Sequence, residues 1–174
     1  MLAIRSENDA DSGGAHIEMA SIYFSESHKS LVEKLCNEPL TPDGRSIFPA
    51  YRDLMLFAAM VGRRYERVAS RTGNGGEVET AYFSSGGFNK DGVVYLLGLV
   101  DLGGPEIFRD GAKDCWRLFE SYLNGGMEII AEWLTGAEEP KSYWEVLLNR
   151  TLEMARGEKK VPVIIKKPKM LPVQ

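Results

Sequence analysis

Apolar residues are densest in one stretch of this chain, residues 46–71, SIFPAYRDLMLFAAMVGRRYERVASR. Between positions 50 and 61 only Arg52 and Asp53 are charged, and Leu54, Met55, Leu56, Phe57, Ala58, Ala59, Met60 and Val61 leave almost no polar face. A helix that is apolar nearly all round is buried on most sides. Pro49 suits a first helical turn, where its missing N–H costs nothing, and Asp53 stands near the positive end of the helix dipole. The run is shorter than the roughly 20 apolar residues a bilayer requires. It predicts a central core helix whose end is loosened by Gly62.

The clearest periodicity lies in residues 110–134. Trp116, Phe119, Leu123, Met127, Ile130 and Leu134 recur at steps of three and four, and Cys115, Leu118, Tyr122, Ile129 and Trp133 widen the stripe. This is a helix with one face on the core. Asn124-Gly125-Gly126 interrupts it. Either the helix breaks there or the glycines let another backbone approach, and the second reading must offset roughly 1 kcal/mol per mid-helix glycine.

Weaker patterns fill in the rest. Leu31, Val32 and Leu35 share one face of a helix over residues 28–36, with Ser27 placed to cap it. Residues 37–45, with Pro39, Pro42 and Asp43-Gly44, form a connection. Residues 72–77, TGNGGE, read as a tight or mobile loop and lack the glycine spacing of a phosphate-binding motif. An extended segment is expected over residues 78–83 and a turn over 84–87. Residues 92–103 suit a buried strand by composition. Their length favours a buried helix, with Asn89 as its cap and Asp91 at its start. Ser142 and Glu145 have the spacing of a capping box ahead of a last helix, residues 143–156, ended by Gly157.

The expected fold is therefore mainly α: a compact single-domain bundle of about five helices over residues 21–157, with a minor β element near 78–83. A flexible arm, residues 1–20, precedes it. A basic Pro/Lys tail, residues 158–174, follows, and its Val163, Ile164 and Ile165 suit a strand added to a sheet edge.

Charge changes this picture only at the ends. The net charge of −4 argues against a protein that coats nucleic acid. It is uneven: residues 1–20 carry −3, while residues 157–174 set five lysines against Glu158. The first twenty residues lack the continuous apolar core of a signal peptide, and a cytoplasmic location is expected. Cys36 and Cys115 then read as buried free thiols of a reducing compartment.

Chemistry is sparse. The two histidines, His16 and His28, stand near no cysteine pair, so no zinc spacing exists, and no metal or cofactor is expected. Glu77-Val78-Glu79 and Glu139-Pro140-Lys141 imitate fragments of a magnesium nuclease site, but such carboxylates usually come from adjacent strands. Asp110 and Asp114 are more simply a negatively charged helix start. No catalytic residue is assigned. What remains is a cationic theme: Arg63, Arg64, Arg67 and Arg71 with Tyr65 among them, and Lys159, Lys160, Lys166, Lys167 and Lys169 in the tail. The arginines either complement a helix C-terminus or contact phosphates, with Tyr65 stacking on a base. Replacing Arg63, Arg64 and Arg67 with alanine is expected to leave folding nearly unchanged, as for other surface positions.

Two stretches, FPAYRDLMLFAAMVGRRYER and LFESYLNGGMEIIAEWL, resemble the family of small bacterial proteins known as DNA phosphorothioation (Dnd) system-associated protein 4. The resemblance covers residues 45–135 and includes no catalytic signature. It implies a context in which sulfur replaces a phosphate oxygen of DNA and associated proteins restrict unmodified invading DNA. A companion protein there is an adaptor, a regulator or a subunit. The expected function is that of a non-enzymatic accessory protein in anti-phage defence. Its partners would be other Dnd proteins, with DNA contact at the arginines as the alternative and a metal-dependent nuclease as the remote one.

Overall fold

Two crossing helices, Tyr51–Arg64 and Ala112–Leu134, carry the core. In the computed structural model, described over residues 21–85, 90–104, 112–137 and 142–157, the chain runs β1 (Ser21–Phe24), a 3-10 turn (Glu26–His28), α1 (Lys29–Asn37), α2 (Tyr51–Arg64), β2 (Gly76–Glu79), α3 (Ala81–Ser84), α4 (Asp91–Asp101), α5 (Ala112–Leu134) and α6 (Tyr143–Ala155). The five expected helices are present and α3 is an additional short one. Residues 1–20, where a flexible arm was expected, the lysine tail, Asn89 and the Glu139-Pro140-Lys141 triplet lie outside the described residues.

The 46–71 run behaves as its composition demands. Leu54, Met55, Ala58, Ala59 and Val61 of α2 are buried. Its burial is not complete all round, because Met60 is half exposed and Phe57 is only partly covered, beside Phe48. The helix also starts later than Pro49 suggests. Ala50 is extended, so Tyr51 is the first helical residue and Pro49 lies ahead of the cap.

The periodic stripe of α5 faces α2. Trp116, Phe119, Leu123, Met127, Ile130 and Leu134 are all buried, and Phe83 of α3 meets Trp116 and Phe119 edge to face. The helix is unbroken at Asn124-Gly125-Gly126, so close approach is the reading that holds. A Cβ on Gly126 would stand 1.8 Å from the Ala58 carbonyl oxygen, and one on Gly62 would stand 2.1 Å from that of Tyr122. A Cβ on Gly125 would meet the Arg67 carbonyl oxygen at 2.2 Å. The two backbones touch where a side chain would hold them apart.

Asn124, fully buried, uses the same site to fasten the N-terminal strand. Its Oδ1 accepts from the Ser25 backbone N–H and hydroxyl, both at 2.9 Å. Its Nδ2 donates to the carbonyls of Tyr23 and Glu120. β1 pairs antiparallel with β2 in the register Ser21–Glu79 to Phe24–Gly76. The extended element therefore sits at 76–79 rather than 78–83, and the chain is helical from Ala81. The glycine loop between α2 and β2 is tightly turned. A Cβ on Gly76 would reach the Phe24 ring at 2.6 Å, and Gly75 donates its N–H to the Phe24 carbonyl.

α4 is a helix, as its length predicted, but not the buried one expected: Val94, Leu97 and Gly98 face inward, while Leu96, Leu99, Val100 and the following Leu102 are exposed. It is bridged to α2 at both ends, Lys90 to Asp53 at the starts and Arg63 to Asp101 at the ends, so the two helices run the same way. Arg52 anchors the preceding turn by donating to the Tyr82 carbonyl and the Ser85 hydroxyl.

Neither expected serine cap operates. α1 begins at Lys29 with His28 at the cap position, and Ser27 lies inside the 3-10 turn. Ser142 has helical backbone angles and makes no capping bond, whereas a capping residue normally sits in the extended region. Both cysteines are buried and free, as expected. Burial pushes the Cys36 thiol up to about 12, which keeps it an unreactive thiol.

Gly126→Ala drives a methyl into a backbone carbonyl, and overpacking of this kind costs about 3 kcal/mol or more. Asn124→Ala orphans the buried Ser25 N–H at a cost of about 1–3 kcal/mol. Chemical denaturation of both variants, with α5 helicity followed by circular dichroism, checks these values. A third expectation concerns acid. Burial lowers the pKa of His28 from 6.5, with Glu128 opposing. Between that depressed value and 6.5 the unfolded chain binds the extra proton, so stability falls as pH drops below about 6.5. Comparing denaturation midpoints with a His28→Gln variant across that window isolates the component.

Candidate functional site: the arginine cluster after the central helix

The cluster is built by the way α2 ends. Glu66 donates its N–H to the Arg63 carbonyl and Arg67 donates to the Gly62 carbonyl, at 3.2 and 2.8 Å, with Glu66 left-handed at φ 54°. This is the paired bond pattern of a Schellman motif, in which the left-handed position is usually glycine. It reverses the chain so that residues 67–71 return across α5, where the Ala69 N–H bonds the Ser121 carbonyl.

The reversal decides what the arginines face. Arg67 forks onto two carboxylates one turn apart on α5, meeting Glu128 Oε2 through Nε and NH2 at 2.9 and 2.7 Å and Glu132 Oε1 through NH1 at 2.7 Å. Arg63 pairs with Asp101 at 2.9 Å. The same carboxylate accepts the Tyr122 hydroxyl at 2.6 Å, and burial with that bond raises the phenol to about 12. Arg71 lies over the Tyr23 ring, 4.5 Å from its centre. Tyr65 packs edge-on against Trp133 and is partly buried, not presented as a stacking face. Arg64 is exposed and stands outside these ion pairs. The five residues are adjacent in sequence, yet their charged groups diverge onto α4, α5 and β1 instead of converging on one point.

The tail lysines Lys159, Lys160, Lys166, Lys167 and Lys169 lie outside the described residues. Of the carboxylates weighed for a metal, Glu77 accepts the Tyr23 phenol and raises its pKa, and Asp114 pairs with Arg117 at 3.5 Å. Among the described residues no group of three or more His, Cys, Asp or Glu side chains is gathered as a metal site, and no helix is long and apolar enough to cross a membrane. Sequence reasoning missed the acids that receive the cluster. The Glu128 and Glu132 pair, one helical turn apart, was the available signal for a fork-shaped partner.

Residues 21–164 match the family described as DNA sulphur modification system-associated protein 4. The chain belongs to this family. Comparison with curated proteins and with solved structures finds no match. The family match is longer than the two resembling stretches: it takes in β1, the whole small sheet, α6 and the first residues beyond α6. The matched residues include the helix crossing and the arginine cluster.

Alanine variants now separate the arginines that the sequence had grouped. Arg64→Ala stays within about 0.5 kcal/mol of the parent, as exposed positions do. Arg67→Ala removes its charge-assisted contacts to two carboxylates that are partly open to solvent and costs about 1–2 kcal/mol, a loss that shrinks in high salt. Glu66→Gly relieves the left-handed backbone and raises stability by about 0.5–1 kcal/mol. Thermal melts at two salt concentrations measure all three.

Proposed function

We propose that this chain is a non-enzymatic accessory protein of a Dnd DNA sulphur modification system and works by binding other proteins of that system in the cytoplasm. Membership of the Dnd-associated family supports the context. The observation that carries the mode of action is the internal use of the cluster. Arg63 and Arg67 are held by Asp101, Glu128 and Glu132, and Arg71 by the Tyr23 ring. Arg63 and Arg67 must break these ion pairs before they neutralise phosphates, whereas large apolar side chains such as Met60, Leu96, Val100 and Leu148 lie exposed for protein contact. In this reading the chain serves anti-phage defence by joining or regulating the components that modify DNA or restrict it.

A second reading keeps DNA contact. Arg64 and Arg71 are both exposed and, with the tail lysines, offer a small cationic set. Binding through phosphates releases counterions and weakens steeply with salt. Two measurements divide the readings. Affinity capture with the tagged full chain in its native host is expected to recover identified Dnd proteins, and their absence overturns the adaptor reading. Titration of duplex DNA at low and moderate salt is expected to show no salt-steep binding. A steep slope that Arg64→Ala and Arg71→Ala flatten would replace the adaptor by a DNA-binding regulator.

A further inference from the structure

In the two-stranded sheet, β1 is the inner strand and β2 the outer one. Tyr23 of β1 turns its main chain away from β2. Its N–H donates to Glu120 Oε2 of α5 at 3.0 Å, and its carbonyl accepts from Asn124 Nδ2 at 3.3 Å. Facing residues of an antiparallel pair alternate between hydrogen-bonded and non-bonded. Tyr23 faces Glu77 and Ser21 faces Glu79, so both pairs are of the non-bonded kind. The N–H and carbonyl groups of Glu77 and Glu79 therefore point outward from β2, and among the described residues no hydrogen bond reaches them. An open strand edge is a template for one more strand.

This edge is also acidic. Glu77 and Glu79 are exposed on one face of β2, while Val78 packs against the core on the other. Neither carboxylate forms an ion pair among the described residues. The charge argues against a second β2 as the occupant, because Glu77 and Glu79 of two copies would stand against each other, and like charges across strands are destabilising. The chain itself carries a segment of the opposite character. In residues 160–166, KVPVIIK, Val161, Val163 and Ile165 alternate with Lys160, Pro162, Ile164 and Lys166. The two-residue period of a strand sets the first three on one face and both lysines on the other. Pro162 has no N–H to donate, which an edge strand tolerates at its start. The family match runs through residue 164, so the start of this segment lies within the matched region.

We propose that residues 161–166 lie along the outer edge of β2 as a third strand supplied by the same chain. Val163 and Ile165 then share the face of Val78, and Lys160 and Lys166 share the face of Glu77 and Glu79. The pairing is independent of the adaptor role.

Residue-resolved amide hydrogen exchange on the full chain tests it. Adjacent prolines in the variant Val163→Pro/Ile164→Pro remove a donor from both sides of the added strand and touch nothing in the helical core. The Glu77 and Glu79 amides are expected to exchange about ten-fold more slowly in the parent than in this variant, with the circular dichroism spectrum unchanged. Glu77→Lys/Glu79→Lys is expected to lose the same protection and to regain it when combined with Lys160→Glu/Lys166→Glu. Equal exchange in the parent and the proline variant overturns the added strand. Protection that disappears on dilution assigns the strand to another chain and overturns the intramolecular pairing. Charge reversals that leave exchange unaltered overturn the placing of the lysines beside the two glutamates.

Discussion

The backbone-to-backbone crossing of α2 and α5 is the constraint from which most of this fold follows. Helices packed through ordinary side chains keep their axes 8–10 Å apart. Here Gly62 and Gly126 remove the side chains at the crossing, and the Ala58 and Tyr122 carbonyls occupy the space. The helices gain dispersion contact along their flanks, where Leu54, Val61, Leu123 and Ile130 are wholly buried. That gain must exceed the helix propensity surrendered by three glycines, roughly 1 kcal/mol each. The close approach also fixes what can follow α2. The Arg67 carbonyl lies where a Gly125 Cβ would be, so the chain can turn back over α5 only because that position is empty.

Asn124 shows why the glycines do not stand alone. It occupies the same turn of α5 and exhausts its hydrogen-bonding capacity on Ser25, Tyr23 and Glu120. A buried amide of this kind contributes mainly through the cost of leaving its partners unpaired. Its geometry locks β1 to the middle of α5, and β1 in turn orders β2 and the glycine loop around Phe24. One three-residue sequence therefore joins the helical core to the small sheet.

The helical part of this arrangement was legible because it is periodic over many turns. The stripe from Trp116 to Leu134 and the dense run from Leu54 to Val61 each announce their element without reference to anything distant. The α5 interruption was legible as a choice between two outcomes, and only the position of Ala58 decides between them. What escaped was set by tertiary partners. β1 is four residues long and pairs with a strand more than fifty residues away, too short to carry a local signature. Ser27 and Ser142 have the composition of caps, but cap geometry depends on backbone angles that packing dictates. Ser25, with no special spacing, is the serine whose hydroxyl is used, on Asn124 and on the Thr72 N–H.

The arginine cluster teaches the same lesson about function. In sequence, four arginines within nine residues read as a patch because their neighbours in space are unknown. The left-handed Glu66 breaks the helical course between Arg64 and Arg67, so residues on either side of it address different elements. Arg63 stays with α4 and Arg67 crosses to α5. A carboxylate pair one turn apart matches a guanidinium fork as well as a phosphate does, and it is supplied in the same chain at no cost in translational freedom. External phosphate would have to displace Glu128 and Glu132 from Arg67 to bind there. Arg63 and Arg67 thus clasp the end of α2 to its neighbours, and Arg64 and Arg71 are left exposed beside them.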